Sequence, residues 1–159
     1  MSVNFEQTSD FSDYGNKAKN LVMLKKVGFN VPDGFVLGAS FSDEILKNSD
    51  IQKEIEKIKT STSKDEIFCI SEKINAFLDG LLFSNKQIHK IQSWVDDKKL
   101  YAVRSSGSLE DLDNFSFAGQ YDTFLNVKKE EITDKIKDCI KSMFSVNVLS
   151  YIYDNSIDA

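Results

Sequence analysis

A chain of 159 residues, 41% hydrophobic and 28% charged, is long enough to bury one ordinary core, and a single domain over 1–159 is expected. A net charge of −5 lacks the Lys/Arg surplus that nucleic acid or an anionic membrane requires, which excludes both as partners. No stretch approaches the roughly 18 apolar residues of a membrane span, and Met1-Ser2-Val3-Asn4-Phe5-Glu6 lacks the order of a signal peptide, so a cytoplasmic location is expected.

From Tyr14 to Gly28 the spacing of Leu21, Leu24 and Val27 predicts a helix of about three turns with Gly28 as its stop. Pro32-Asp33-Gly34 is turn chemistry, and Phe35-Val36-Leu37 is a short strand. The stretch from Phe41 to Asp97 is helical. Ile51, Ile55 and Ile58 mark one apolar stripe, and Ile67, Ile70, Ile74, Phe77 and Leu81 mark a longer one. Ser63 and Ser84 are placed to cap helices, the latter one carrying Ile88, Ile91 and Val95. Strands are expected at Leu100–Arg104 and Tyr121–Val127, joined by a long polar loop. From Lys129 a helix with Ile132, Ile136, Ile140 and Met143 on one face runs to about Tyr153. These elements predict an α+β fold. Cys69 and Cys139 both lie in amphipathic helices and are expected to be core thiols, and His89 faces solvent, a poor catalytic base.

The long loop is the best place for chemistry, because long ordered loops on a rigid scaffold usually serve function. Arg104-Ser105-Ser106-Gly107-Ser108, then Phe117-Ala118-Gly119-Gln120, can gather a guanidinium, hydroxyls and backbone N–H groups around an oxyanion. Phosphate fits best: arginine meets two of its oxygens with a planar fork, and glycine lets the main chain approach where a Cβ would clash. Lys17, after Gly15-Asn16 at a helix start, adds a second cation where the helix dipole already favours an anion. Each signal has a plain alternative. The helix start serves equally as a capped surface helix, and Arg104 could pair with Glu110 or Asp111. The carboxylates of Glu110, Asp111 and Asp113 suit either Mg²⁺ or solvent, and neither a metal ligand nor a catalytic residue is assigned.

Four blocks in order carry a family resemblance. They are Gly15-Asn16-Lys17-Ala18-Lys19-Asn20-Leu21; Gly28 through Val31-Pro32-Asp33-Gly34-Phe35-Val36; Ala102-Val103-Arg104-Ser105-Ser106 with Glu110-Asp111-Leu112; and Ser116 through Gly119-Gln120-Tyr121-Asp122-Thr123 to Val127. The chain resembles the N-terminal ATP-grasp region, of the PEP/pyruvate-binding type, of phosphoenolpyruvate synthases, pyruvate phosphate dikinases and rifampin phosphotransferases. The resemblance implies that Lys17 and Arg104 contact ATP phosphates, that Gly119 and Thr123 lie against them with Gln120 alongside, and that Ser105 belongs to the same nucleotide-binding set. It implies a phosphotransferase that moves the β-phosphoryl of ATP to a histidine on a separate swivelling domain and then to pyruvate or a related acceptor, with AMP as by-product. Mg²⁺ ligands, a further ATP-contacting arginine, the remaining ATP-grasp half and the phosphohistidine are implied beyond residue 159, so this stretch alone is incomplete for catalysis. Asn16 replaces a usual glycine. Where the family pattern is Ser-Leu-Phe-x-x-Arg-Ala-x-x-Tyr-Arg, this chain has Ser142-Met143-Phe144 and then Asn147 and Ile152 in place of the two arginines. A reading of another class is a non-catalytic nucleotide-sensing or interaction module with the same fold.

Overall fold

Gly28 ends the first helix by a local device. Helix α1 (Asn16–Lys26) closes at Val27, after which Gly28 takes φ +92°, a region glycine enters at little cost. The Gly28 N–H donates to the Lys25 carbonyl at 3.1 Å, and the Phe29 N–H donates to the Leu24 carbonyl at 3.0 Å. This Schellman pair satisfies carbonyls that the helix end would otherwise leave bare. The computed structural model describes residues 2–4, 15–105 and 121–155, and within them the fold is α+β.

The described residues fall into two units, one up to Lys47 and one from Asn48 onward. In the first, β1 (Ser2–Asn4) pairs antiparallel with β2 (Phe35–Leu37), with Val3 opposite Val36, and α2 (Ala39–Leu46) follows directly and packs on β2. An ion pair between Lys25 and Asp33, 2.7 Å, ties the last turn of α1 to the segment before β2. The predicted face of α1 needs correction. Ala18 and Val22 are buried, whereas Leu24 and Val27 are exposed. Positions four apart share one side of a helix, so the small Ala18 and Val22 set the buried face and the larger residues fall outside it.

The second unit is built around α4 (Lys64–Asp79), which packs against α3 (Ser49–Thr60), α6 (Ile132–Ser142) and α7 (Val146–Asp154). Its buried stripe is Ile67, Ile70, Ser71, Ile74 and Leu78, and Phe77, expected on that stripe, is 41% exposed. Ser63 accepts from the Glu66 N–H to cap α4, and Ser84 with Gln87 forms a reciprocal capping box at α5 (Asn85–Gln92). Cys69 is also corrected: it is exposed, since it lies off the stripe between Phe68 and Ile70, while Cys139 is buried as expected. His89 faces solvent.

The long helix expected from Lys129 to Tyr153 is instead a 3₁₀ turn (Lys129–Glu131) followed by two helices that break between Ser142 and Val146. Three hydrogen bonds make the break stable. The Ser145 hydroxyl accepts from the Val148 N–H and starts α7, and the Phe144 carbonyl accepts from Ser71 Oγ at 2.7 Å and Asn75 Nδ2 at 3.1 Å. Among the described residues no heavy atom lies within 4 Å of where a Cβ at position 28 would stand. Gly28→Ala should therefore lower stability by about 1 kcal/mol through backbone strain alone, read as a drop in urea midpoint followed by circular dichroism.

Candidate functional site

Strands β3 (Tyr101–Arg104) and β4 (Thr123–Val127) pair antiparallel, with Arg104 opposite Thr123 and Val103 opposite Phe124. Side chains alternate across a strand, so the Val103–Phe124 pair and the Arg104–Thr123 pair lie on opposite faces. The first face is half-buried toward α6, and the second is exposed. An irregularity of register lies further along, where Tyr101 pairs with Val127. There Asn126 takes φ +57° and supplies the extra residue of a bulge. Asparagine enters that region more readily than most residues. The bulge lets Val127 bury (4% exposed) on the same side as Phe124, which strict alternation over three residues would forbid.

Of the predicted site residues, the hairpin brings Arg104 and Thr123 together as cross-strand neighbours, and Ser105 follows Arg104 with its side chain buried. Lys17 is the second residue of α1, in the first unit, and half-buried. The first turn of α1 holds no carboxylate and Gly15 provides no side-chain cap, so its N-terminal N–H groups and dipole favour an anion. Gly119 and Gln120, and the acidic Glu110, Asp111 and Asp113, lie outside the described residues. Among the described residues no group of three His, Cys, Asp or Glu side chains gathers that could hold a metal, and no helix is long and apolar enough to cross a membrane.

Sequence reasoning missed how α6 grips the start of β4. The backbone N–H of Asp122 donates to Ser142 Oγ at 3.3 Å, and Cys139 Sγ donates to the Asp122 carbonyl at 3.8 Å. Ser142 Oγ donates in turn to the Cys139 carbonyl at 2.8 Å. The only available signal was a serine ending an apolar helix stripe, which is also ordinary capping chemistry. On the exposed side of α6, Lys135 reaches over the Phe124 ring at 4.8 Å while it pairs with Asp138 at 2.9 Å. That hydrogen bond and charge raise the Lys135 pKa above its ordinary value.

Burial, with smaller contributions from the Asp122 and Asp138 charges, pushes the Cys139 thiol up to about 12. The unfolded thiol ionises near pH 8.5, so this neutral burial stabilises the fold fully below about that pH and the contribution fades as pH rises toward the folded value. With a thiol reagent at pH 8, Cys69 should react in the folded chain, and Cys139 should react only once the chain is denatured. Cys139→Ala should flatten the loss of stability measured between pH 9 and 11.

Residues 12–159 match the family model described as pyruvate phosphate dikinase, AMP/ATP-binding domain. The chain is 35% identical to an uncharacterized phosphotransferase, YvkC, of Bacillus subtilis, over 94% of this chain and 17% of that protein. It is 29% identical to a probable phosphoenolpyruvate synthase of Methanothermobacter thermautotrophicus, over 91% of this chain and 23% of the relative. It is 34% identical to a rifampicin phosphotransferase of Bacillus cereus, over 91% of this chain and 18% of the relative. The chain thus spans about a fifth of the length of these curated relatives.

Proposed function

Because the chain belongs to the pyruvate phosphate dikinase AMP/ATP-binding domain family, we propose that residues 1–159 are the N-terminal portion of an ATP-grasp domain and hold ATP within a phosphotransferase. Lys17 and Arg104 meet phosphate oxygens, and Ser105, Gly119, Gln120 and Thr123 complete the nucleotide-binding set. The observation that carries this reading is the pairing of Arg104 with Thr123 on the exposed face of the hairpin, which sets a guanidinium beside a hydroxyl at the two ends of the connecting segment. Arginine offers phosphate a planar fork of donors, and such charge-assisted bonds are about twice as strong as neutral ones.

The work of these residues is electrostatic. Phosphoryl transfer asks the protein mainly to position the phosphates and to meet the charge that spreads over their oxygens, and preorganised cations and N–H donors do this without rearranging. In the full scheme the β-phosphoryl passes to a histidine of a separate domain and then to pyruvate or a related acceptor, and AMP leaves. Any Mg²⁺ would neutralise phosphate charge and would be held by residues after 159, where a further arginine would contact ATP. The net charge of −5 and the relatives' phosphotransferase names fit a cytoplasmic protein that binds neither nucleic acid nor membrane.

A second reading, a nucleotide-sensing or interaction module without transfer, draws on Asn147 and Ile152, which stand where the family pattern has arginines. Formation of AMP from ATP by the full-length protein separates the two.

Titration of ATP into the full-length protein and its Arg104→Ala variant tests the site. Affinity should fall about ten- to a hundredfold on loss of a charged donor. Equal affinity in both would remove Arg104 from the site. Residues 1–159 alone should bind ATP weakly, and nanomolar binding by them would refute a site shared with later residues.

A further inference from the structure

We propose that Ser142 is a positioning residue for the nucleotide: it locks the register in which β4 meets β3 and so decides which side chain stands opposite Arg104. The proposal rests on the nucleotide reading of Arg104 and Thr123. Ser142 is the last residue of α6 and is 7% exposed, so its hydroxyl is buried where an unpaired polar group would be costly. Its Oγ–H is committed to the Cys139 carbonyl at 2.8 Å, which leaves the oxygen as an acceptor, and the Asp122 N–H donates to it at 3.3 Å. The carbonyl of the same residue accepts from Cys139 Sγ at 3.8 Å. Asp122 is therefore held at both its N–H and its C=O by one helix, one residue before β4 begins.

What this grip prevents follows from the period of a strand. A slip of one residue turns every side chain to the other face. With β4 displaced by one, the carboxylate of Asp122 would stand opposite Arg104 in place of the Thr123 hydroxyl. A carboxylate there would occupy the guanidinium and repel phosphate, while Thr123 would turn toward α6. The strands are short, four and five residues, and while burial toward α6 and the bulge at Asn126 favour this register from the far end, Ser142 is what fixes it at the Asp122 end, next to Thr123. Nor does the anchor itself move readily: the corner after Ser142 is fastened to α4, where Ser71 and Asn75 donate to the Phe144 carbonyl.

The test compares the full-length protein with Ser142→Ala, with Ser142→Cys, which keeps the shape but accepts weakly, and with Ile74→Val, a core change in α4 that perturbs stability without touching the hairpin. Hydrogen exchange is followed in the peptide spanning Tyr121 to Phe124, and ATP is titrated at a temperature where every variant is folded. Ser142→Ala should exchange about tenfold faster at Asp122 and Thr123 and bind ATP about three- to tenfold more weakly, the range one buried hydrogen bond supports. Ser142→Cys should fall between it and the unsubstituted protein, and Ile74→Val should match the unsubstituted protein in both. ATP affinity unchanged in Ser142→Ala, or equally weakened in Ile74→Val, would overturn the proposal. Should the unsubstituted protein fail to bind ATP, the nucleotide reading fails and takes this inference with it. The exchange rates then still report whether Ser142 holds the strand.

Discussion

The carbonyl of Phe144 is the acceptor on which the arrangement of the second unit depends. A helix that stops inside a core leaves its last carbonyls without partners, and a buried carbonyl without a donor costs about 1–3 kcal/mol. Ser71 and Asn75 of α4 meet that need. Because the two donors sit one turn apart on α4, they fix where α6 must end and where α7 must begin. Both helices then lie against the Ile67, Ile74 and Leu78 stripe, and none of these three side chains retains measurable exposure. Polar pairing and apolar burial thus specify the same corner.

From that corner the order passes outward to the hairpin. Helix α6, whose Ile132, Ile136 and Ile140 are buried, packs against β3 and β4, and the end of the helix holds the backbone at Asp122. The strands therefore inherit their position from a helix that is itself held by another helix. Among the described residues the opposite face of the hairpin is exposed, and that is the face presenting Arg104 and Thr123. A surface relieved of core packing can carry charge and hydroxyl groups without desolvating them.

Elements governed by local chemistry were legible in the sequence, and those governed by partners were not. Gly28 announced its helix stop because the left-handed turn there is a property of glycine itself. Ser63 and Ser84 likewise capped where their spacing said. The strands bearing Arg104 and Thr123 were found from alternation, though their pairing partner could not be. Apolar size misled at α1 and α4. Ala18 and Ser71 are buried while Val27 and Phe77 are exposed, because the neighbouring element, not the size of the residue, decides which face is covered. The break before α7 was hidden since Met143 continues the stripe of Ile132, Ile136 and Ile140, and the donors that stabilise it lie far back in the chain on α4. The grip on Asp122 was hidden for the same reason.

Positions 147 and 152, where the family resemblance leads one to expect arginine, differ in how easily they could carry it. Asn147 is exposed on the first turn of α7, and a long cation there would extend into water. Ile152 is 6% exposed on the side of α7 that packs against α3 and α4. A guanidinium placed at that point would be taken out of water, and a buried charge left unpaired costs several kcal/mol, a large share of what holds a domain of this size together. Position 147 could take arginine by a single substitution with its cation in water, whereas at 152 the cation would need room and a partner inside a packed core.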